Sequence, residues 1–504
     1  MGRAPEREVK LGAWGGFTLP ELAGVLDEVT TERLDERRLD AVYYDTPDLR
    51  LARSGLSLRH RAGDHPPWTV KLPDGPAGPV MVRREIPFEG PPGTVPAAAA
   101  ALVRAYTRSA SLQPVARLKT RRTGVELRLD GVSVSEVVDD EVSVYQGRRL
   151  ASRFREVEVE LFSEAPPELL AAVLARLRAA GAGEPDGTPK VVRALGPRAQ
   201  LPPDIAPVRL SGGASVGEAV RAAVSAGTGR VITHDPGVRL GEDPEDVHQA
   251  RVGTRRLRSD LRTFLPLLDP EWVAGLRAEL GWFAELLGAV RDAEVLAERL
   301  RRQAAQLPKE DTGRLPGLLA RLADDREAGR VRLLEEMNSA RYITLLDRLV
   351  AAAAEPVLAE GADSSQPAGE ALPALVRRPW RRLRRAVDEL PEDPPDEALH
   401  AVRILAKHCR YAAEAAAPVM GKRASAFASA VAGVQGVLGD HQDCTVAEAW
   451  LRRHVAGTAD VDEAMLLGQL IGMQRAEAAA CRAAWPAAWK RASDRRLRDW
   501  LASW

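Results

Sequence analysis

The chain has 504 residues, which at roughly 150 per domain points to about three structural units, or to two if one is large. Lysine plus arginine and aspartate plus glutamate both number 71, so bulk charge argues for neither a nucleic-acid nor a membrane role, and any anion site must come from local segregation. Hydrophobic residues at 45% and charged residues at 28% exclude wholesale disorder.

From Glu6 to about Leu161, apolar and polar residues alternate in short runs: REVKL, LSLRHR, WTVKL, VRREIPF, VARLKT, GVELRL, VSVSEVV and FREVEVEL. A period of two predicts strands, and turn signals such as Pro66-Pro67 and Asp130-Gly131 predict that most neighbours are antiparallel. Helices are expected near Pro20 to Arg37, near Val95 to Arg108 and at Pro167 to Ala180, which makes this part α+β. The proline- and glycine-rich residues 196–213 read as a linker between a domain at 1–195 and another at 214–504. Beyond Ser215 nearly everything reads as amphipathic helix. Breaks are expected at Asp235-Pro236-Gly237, near Leu307-Pro308, across Gly361 to Pro373 and at Pro391 to Pro395.

The helical part contains a repeat. VHQARVGTRRLRSDLR at Val247 to Arg262 aligns with LHAVRILAKHCRYAAE at Leu399 to Glu414, with a constant offset of 152 residues (248 to 400, 251 to 403). LGAVRDAEV at Leu287 aligns with LGDHQDCTV at Leu438, matching Gly288 with Gly439 and Asp292 with Asp443. Two related bundles, about 214–360 and 374–504, are expected to pack about a pseudo-two-fold axis.

Charge marks the strands. Glu6, Glu8 and Lys10 share a face; so do Arg59 and Arg61, Arg83 and Glu85, Arg117, Lys119 and Arg121, and Glu156, Glu158 and Glu160, with Lys71 and Asp139 as further members. One such face is ordinarily the wet side of a sheet. Five of them, beside helices whose apolar faces need the sheet's other side, point to a curved sheet or barrel with its charges inside. Unpaired buried charges cost of order several kcal/mol each, so that lumen calls for a polyanion and metal ions. Arginine and lysine take phosphate oxygens, while carboxylates hold a hard cation, Mg²⁺ or Mn²⁺. His60 has the opposite parity to Arg59 and Arg61, and His65 sits in a turn, so neither suits a general base.

The E-x-E-x-K of Glu6-Arg7-Glu8-Val9-Lys10, followed by YYDTPDLRLARSGLSLRHR, WTVKLP, VRREI, RLKTRR, Asp139-Asp140-Glu141 and FREVEVEL, resembles the CYTH domain of the triphosphate tunnel metalloenzyme superfamily over about 190 residues. The resemblance implies a closed eight-stranded antiparallel barrel that binds a linear triphosphate and one or two divalent metals. It makes Glu6, Glu8, Glu156 and Glu158 metal ligands, with Asp139 and Glu160 as further ones. Lys10, Arg59, Arg61, Lys71, Arg83, Arg117, Lys119 and Arg121 become the phosphate clamp, and Lys10, Arg59, Arg61 and Glu85 the groups nearest the reaction. Water would attack in line on a terminal phosphorus, with no nucleophilic side chain.

On the helical side, His248, Arg251, Arg255, Arg258 and Arg262 are spaced 3, 4, 3 and 4 and lie on one face, and His400, Arg403, Lys407 and Arg410 repeat the pattern. A lone basic stripe is usually just solvated. Duplicated stripes in one bundle repel by about 0.2–0.5 kcal/mol per i,i+4 pair and ask for an anion between them. This half resembles the CHAD domain, a helical domain named for its histidines, which implies binding of inorganic polyphosphate and association with polyphosphate granules. Lys407 stands where the first repeat has Arg255 and lacks its bidentate fork.

The expected function is metal-dependent hydrolysis of inorganic triphosphate or a similar short phosphate chain, joined to polyphosphate binding. The alternatives are a non-catalytic polyphosphate-binding protein of granules, or a nucleotide-directed enzyme: an adenylyl cyclase, or a nucleoside or thiamine triphosphatase. Nucleic acid is a weaker reading, since Trp485, Trp489, Trp500 and Trp504 fall at helical spacing that suits packing. Only Cys409, Cys444 and Cys481 occur, without a C-x-x-C pair, which argues against disulfides or a thiolate zinc site and suits a reducing cytoplasm. No export signal and no membrane span is expected.

Overall fold

The computed structural model describes residues 6–75 and 80–502. The chain divides between Asp204 and Ile205 into two compact units. In the first, eight strands, β1 (Glu6–Ala13), β2 (Val29–Asp45), β3 (Ser57–Ala62), β4 (Trp68–Pro73), β5 (Met81–Phe88), β6 (Gln113–Leu129), β7 (Val132–Gln146) and β8 (Arg149–Leu161), close into a barrel in the order β1-β5-β4-β3-β2-β6-β7-β8. Every neighbouring pair is antiparallel. Asp130 and Gly131 take φ of 51° and 80°, the left-handed pair that a two-residue hairpin needs to turn β6 into β7. Five short helices accompany the strands: α1 (Arg50–Arg53), α2 (Ala97–Leu102), α3 (Arg104–Thr107), α4 (Leu169–Ala179) and α5 (Lys190–Leu195).

Two apolar clusters fix the barrel. Outside it, Val9, Leu11, Val137, Val157 and Val159 pack against Leu169, Val173 and Leu177, the i, i+4, i+8 stripe of α4. Inside it, at one end, Ala41, Leu118, Val142 and Val144 pack against Val191 and Val192 of α5, so this helix plugs that end. The helix expected near Pro20 to Arg37 does not form. Its apolar residues Leu22, Val25 and Leu26 dock on the outer cluster, and β2 pairs with β6 all the way from Val29↔Leu129 to Asp45↔Gln113. That long ladder overrides the local helical spacing.

The second unit is helical: α6 (Val216–Leu240), α7 (Pro244–Thr263), α8 (Pro270–Ala304), α9 (Leu315–Met337), α10 (Ala340–Ala354), α11 (Ala368–Asp388), α12 (Asp396–Met420), α13 (Lys422–Val455), α14 (Val461–Ala492) and α15 (Asp499–Ala502). Polar caps start several of these. Ser215 forms a capping box with Glu218, and the Asp269 carboxylate accepts from the Trp272 amide at 2.7 Å. α6 and α7 approach closely at Gly227 and Gly253, where a Cβ on Gly227 would lie 2.6 Å from Leu257 Cγ. The break expected at Asp235-Pro236-Gly237 is absent. α6 runs on to Leu240 and ends at Gly241 with φ 69°. Proline forfeits one hydrogen bond there, while the Asp235 carboxylate, accepting from Arg239 Nε and Tyr342 Oη at 2.7 Å each, anchors the turn. α11 likewise begins at Ala368 and carries Pro373 within it.

Trp380 stacks on Trp489 with centroids 5.3 Å apart, and Phe427 meets Trp500 edge-on at 6.2 Å; Trp504 lies outside the described residues. Cys409 and Cys444 are buried, Cys481 is half-buried, and all three are free. Among the described residues, no helix is long and apolar enough to cross a membrane.

Candidate functional site

The barrel holds a charged cavity of about 510 Å³ next to the α5 plug. Pairing across β1, β8 and β7 stacks its acidic wall: Lys10 lies opposite Glu158, and Glu156 opposite both Gly12 and Asp140. Lys10 Nζ is 3.2 Å from Glu8 and 3.9 Å from Glu156, and it is hydrogen-bonded to Glu158. Lys190 enters from α5, bonded to Asp140 and within 3.4 Å of Glu156 and 3.2 Å of Glu158. Arg122 donates two bonds to Asp140, at 2.8 and 2.6 Å, and one to Glu158 at 2.6 Å. The facing strands β3, β4 and β5 contribute Arg59, Arg61, Lys71, Arg83 and Glu85 to the same cavity, with Lys71 paired to Glu85 and Arg83 3.9 Å from Glu8.

Burial opposes every one of these charges, and the mixture of signs decides which survive. Burial alone would raise Glu158, Glu8 and Asp140. Lys10 and Lys190 nonetheless hold Glu158 well below the usual carboxylate range, Lys10 with Lys71 holds Glu8 low, and Lys190 with Arg122 holds Asp140 low. At Glu156 burial wins, and its carboxyl is raised. Lys190 is pushed up to about 12 against its burial by Glu158, Asp140 and Glu156.

Asp140, Glu156 and Glu158 each offer an oxygen, and these oxygens lie within 4.8 Å of one another. Both carboxylate oxygens of Glu156 and one of Glu8 are buried and receive no hydrogen bond within the described residues. Hard oxygen donors that are buried, converging and undersupplied with protons fit a divalent cation such as Mg²⁺ or Mn²⁺.

The residues expected here divide into two groups. Glu8, Lys10, Arg59, Arg61, Lys71, Arg83, Glu85, Glu158 and Glu160 line the cavity, and Glu156 stands behind it in the acidic cluster. The Glu6 backbone pairs with Arg83, while its side chain lies outside the described residues. Arg117, Lys119, Arg121 and Asp139 point the other way. On the outer face, Arg117 is bonded to Asp40 at 2.8 and 2.6 Å, Arg121 to Glu36 and Glu141 at 3.1 Å each, and Asp139 to Arg155 at 2.8 and 2.6 Å, while Lys119 sits over the Tyr145 ring. Their neighbours Arg122 and Asp140 take the inward places. For Arg117 and Lys119 the reason is the plug, since Leu118, Val142 and Val144 fill the lumen there against α5 and leave the charged residues outside. Arg121 and Asp139 are instead held on the outer face by Glu36, Glu141 and Arg155, while Arg122 and Asp140 pair with each other within. Lys190, far along the chain at the start of α5, was not foreseen. The pairing of Asp140 with Glu156, whose parity was recognised, is the signal that identifies the inward aspartate.

In the helical unit, α7 and α12 pack against each other with their basic residues converging. Lys407, mostly buried, is pushed down to about 8 by that burial and by Arg255, Arg403, Arg251 and Arg258. The Nε atoms of Arg255, Arg258, Arg291 and Arg403, and Nδ1 of His400, are buried without a hydrogen-bond partner within the described residues. Arg251 pairs with Asp292 at 2.6 Å, Arg410 turns to Glu414 at 2.6 Å, and Arg262 meets the His408 ring. Burial, against Glu245 and aided by Arg291 and Arg255, lowers His248. This crowding of cations in a chain without net charge is the pattern of an anion site.

Comparison with known proteins assigns both units to known domain families. The CYTH domain profile matches residues 4–191 and the CHAD domain profile residues 222–452. An uncharacterised protein of Mycobacterium tuberculosis, Rv2226, is 32% identical over 486 residues, covering 92% of this chain and 91% of its own. Among solved structures, PptA from Streptomyces chartreusis is similar at 26% identity and a TM-score of 0.46, over 55% of this chain and all of that one. The CHAD domain from the plant Ricinus communis is similar at 25% identity and a TM-score of 0.45, over 60% of this chain and 96% of that one. With the barrel, the duplicated helices and both profiles in the same order, the chain belongs to the CYTH–CHAD proteins, a CYTH tunnel domain followed by a CHAD domain.

Proposed function

We propose that the tunnel hydrolyses inorganic triphosphate, or a similarly short phosphate chain, with a divalent metal, and that the CHAD domain binds inorganic polyphosphate. The observation that carries this reading is the cavity itself: Glu8 and Glu158 on its wall, backed by Asp140 and Glu156, facing Arg59, Lys71 and Arg83. Asp140, Glu156 and Glu158, with Glu8, would hold the metal, which when bound supplies charge neutralisation at the phosphate oxygens and a more acidic water. Arg59, Arg61, Lys71 and Arg83 would take the non-bridging oxygens of the chain and fix it in line. As a terminal anhydride opens, negative charge grows on the leaving phosphate, and the same preorganised cations stabilise it. The α5 plug limits water on the far side. In this reading Glu85 orients Lys71 and Arg59, to which it is paired.

The test is phosphate release by the full-length protein from triphosphate, ATP, thiamine triphosphate and long-chain polyphosphate, with Mg²⁺ or Mn²⁺ and with chelator. Metal-dependent release is expected first from triphosphate, falling more than about a hundredfold in Glu158→Gln. Preferred release from a nucleotide or from thiamine triphosphate would reassign the substrate. No release from any of them, with salt-sensitive polyphosphate binding kept, would leave a binding protein.

A further inference from the structure

The repeat relates Arg256 to His408 and Arg262 to Glu414, so the crossing of α7 and α12 has two equivalent ends. They have diverged. At one, Arg256 donates to Asp260 at 3.1 Å and to Glu414, and Arg410 donates to Glu414 at 2.6 Å, so two carboxylates neutralise it. At the other, the equivalent of Asp260 is Ala412 and the contact is between two potential cations, Arg262 Nη1 and His408 Nε2, 2.7 Å apart.

More cations gather at this second end. Arg277 of α8 donates to the Arg258 carbonyl at 3.2 Å, and its guanidinium lies close enough to Arg262 and Arg258 for their charges to bear on it. Arg382 of α11, together with Arg262, Lys407 and Arg277, bears on His408 in the same way. Among the described residues, none of Arg258, Arg262, Arg277 and Arg382 is paired with a carboxylate. The duplication gives a built-in comparison. Arg277 aligns with Ala428, and Arg382 aligns with Arg230, which at the neutralised end is hydrogen-bonded to Gln249 at 2.8 Å. A cluster of cations kept together without acids persists when an anion normally lies across it.

We propose that a linear polyphosphate chain held on the α7/α12 face continues in one direction only, over the Arg262–His408 end, where Arg277 and Arg382 bind its further phosphates. This rests on the polyphosphate reading of the CHAD domain. From His248 to Arg262 the α7 face spans roughly 21 Å at 1.5 Å per residue, far more than a triphosphate covers, so the added cations matter only to long chains.

The test compares the full-length wild type with Arg277→Gln/Arg382→Gln, Arg277→Lys/Arg382→Lys and Arg230→Gln, with metal chelated. Binding of long-chain polyphosphate and of tripolyphosphate is titrated over a range of salt. The glutamine pair is expected to lose roughly tenfold or more in long-chain affinity at low salt, with a log–log salt slope shallower by between about one and two. Tripolyphosphate binding stays unchanged, the lysine pair keeps most of the long-chain affinity, and Arg230→Gln behaves as wild type. Removing unneutralised cations should leave the melting temperature equal or higher, which separates lost contacts from lost fold. Unchanged long-chain affinity and slope in the glutamine pair would overturn the proposal, as would an equal loss in Arg230→Gln. A wild type that binds no polyphosphate would instead overturn the reading on which it rests.

Discussion

Adjacent residues of like charge in β6 and β7 carry opposite assignments. Arg121 and Arg122 differ by one position, yet Arg121 is bonded to Glu36 and Glu141 on the outside while Arg122 holds Asp140 and Glu158 within. Arg122→Gln is therefore expected to cut metal-dependent phosphate release by more than about tenfold, and Arg121→Gln by less than about threefold; steady-state kinetics of the pair checks this. The charge types and the acidic strand FREVEVEL were legible from sequence, because Glu156 and Glu158 alternate with valines that pack outside. The parity of Arg117, Lys119, Arg121 and Asp139 was not, because alternation alone does not say which side of a strand is wet. At the residue scale there is also a pH consequence. Burial, then Arg262, Lys407, Arg277 and Arg382, push His408 down to about 4 from an ordinary 6.5. Between those values the unfolded chain binds more protons than the folded one, so stability is full above about pH 6.5 and falls as the pH drops toward 4. Helical circular dichroism should show a melting temperature lower by a few degrees at pH 5 than at pH 7, and His408→Gln should flatten that difference.

Elements succeeded or failed in the sequence according to where their stabilisation comes from. α4 was legible because its apolar stripe repeats at i, i+4 and i+8 and needs only a flat apolar partner. The first half of β2 was not, since its charged stretch has no clear period and is held by pairing with β6, far away in the chain. α6 passes through Pro236 because Asp235 and Tyr342 secure that turn, a tertiary contact no local signal announces. The α6–α7 approach sets a sharp steric limit. Gly227→Ala would press a methyl into the buried Leu257 side chain, and a loss of about 1–3 kcal/mol is expected from denaturant unfolding of the helical unit, with the barrel's transition unmoved.

At the scale of the molecule, the balance of 71 basic and 71 acidic residues hides two opposite arrangements. In the barrel, cations and carboxylates are interleaved around one cavity, whereas at the α7/α12 crossing Arg255, Arg258, Arg262, Arg403 and Lys407 lie together without a carboxylate ion pair among the described residues. Interleaved charge suits a ligand brought in with a metal. Segregated charge suits a bare polyanion and makes binding depend on salt. A double dissociation follows. Glu158→Gln should abolish phosphate release and leave polyphosphate binding intact, while Arg255→Gln/Arg403→Gln should weaken polyphosphate binding by roughly tenfold or more and leave release from triphosphate intact. Assaying both variants for both properties checks it.

The α5 plug makes the tunnel a cul-de-sac. In the proposed function a chain would enter by its terminus, and what is cut off would back out through the same opening before the next end could seat. Internal anhydride bonds of a long polymer would then be out of reach, and a long chain would be shortened from its tip in separate visits. Early products resolved by gel and by phosphate assay should then be orthophosphate with slightly shortened chains, and mid-length fragments would contradict a sealed end.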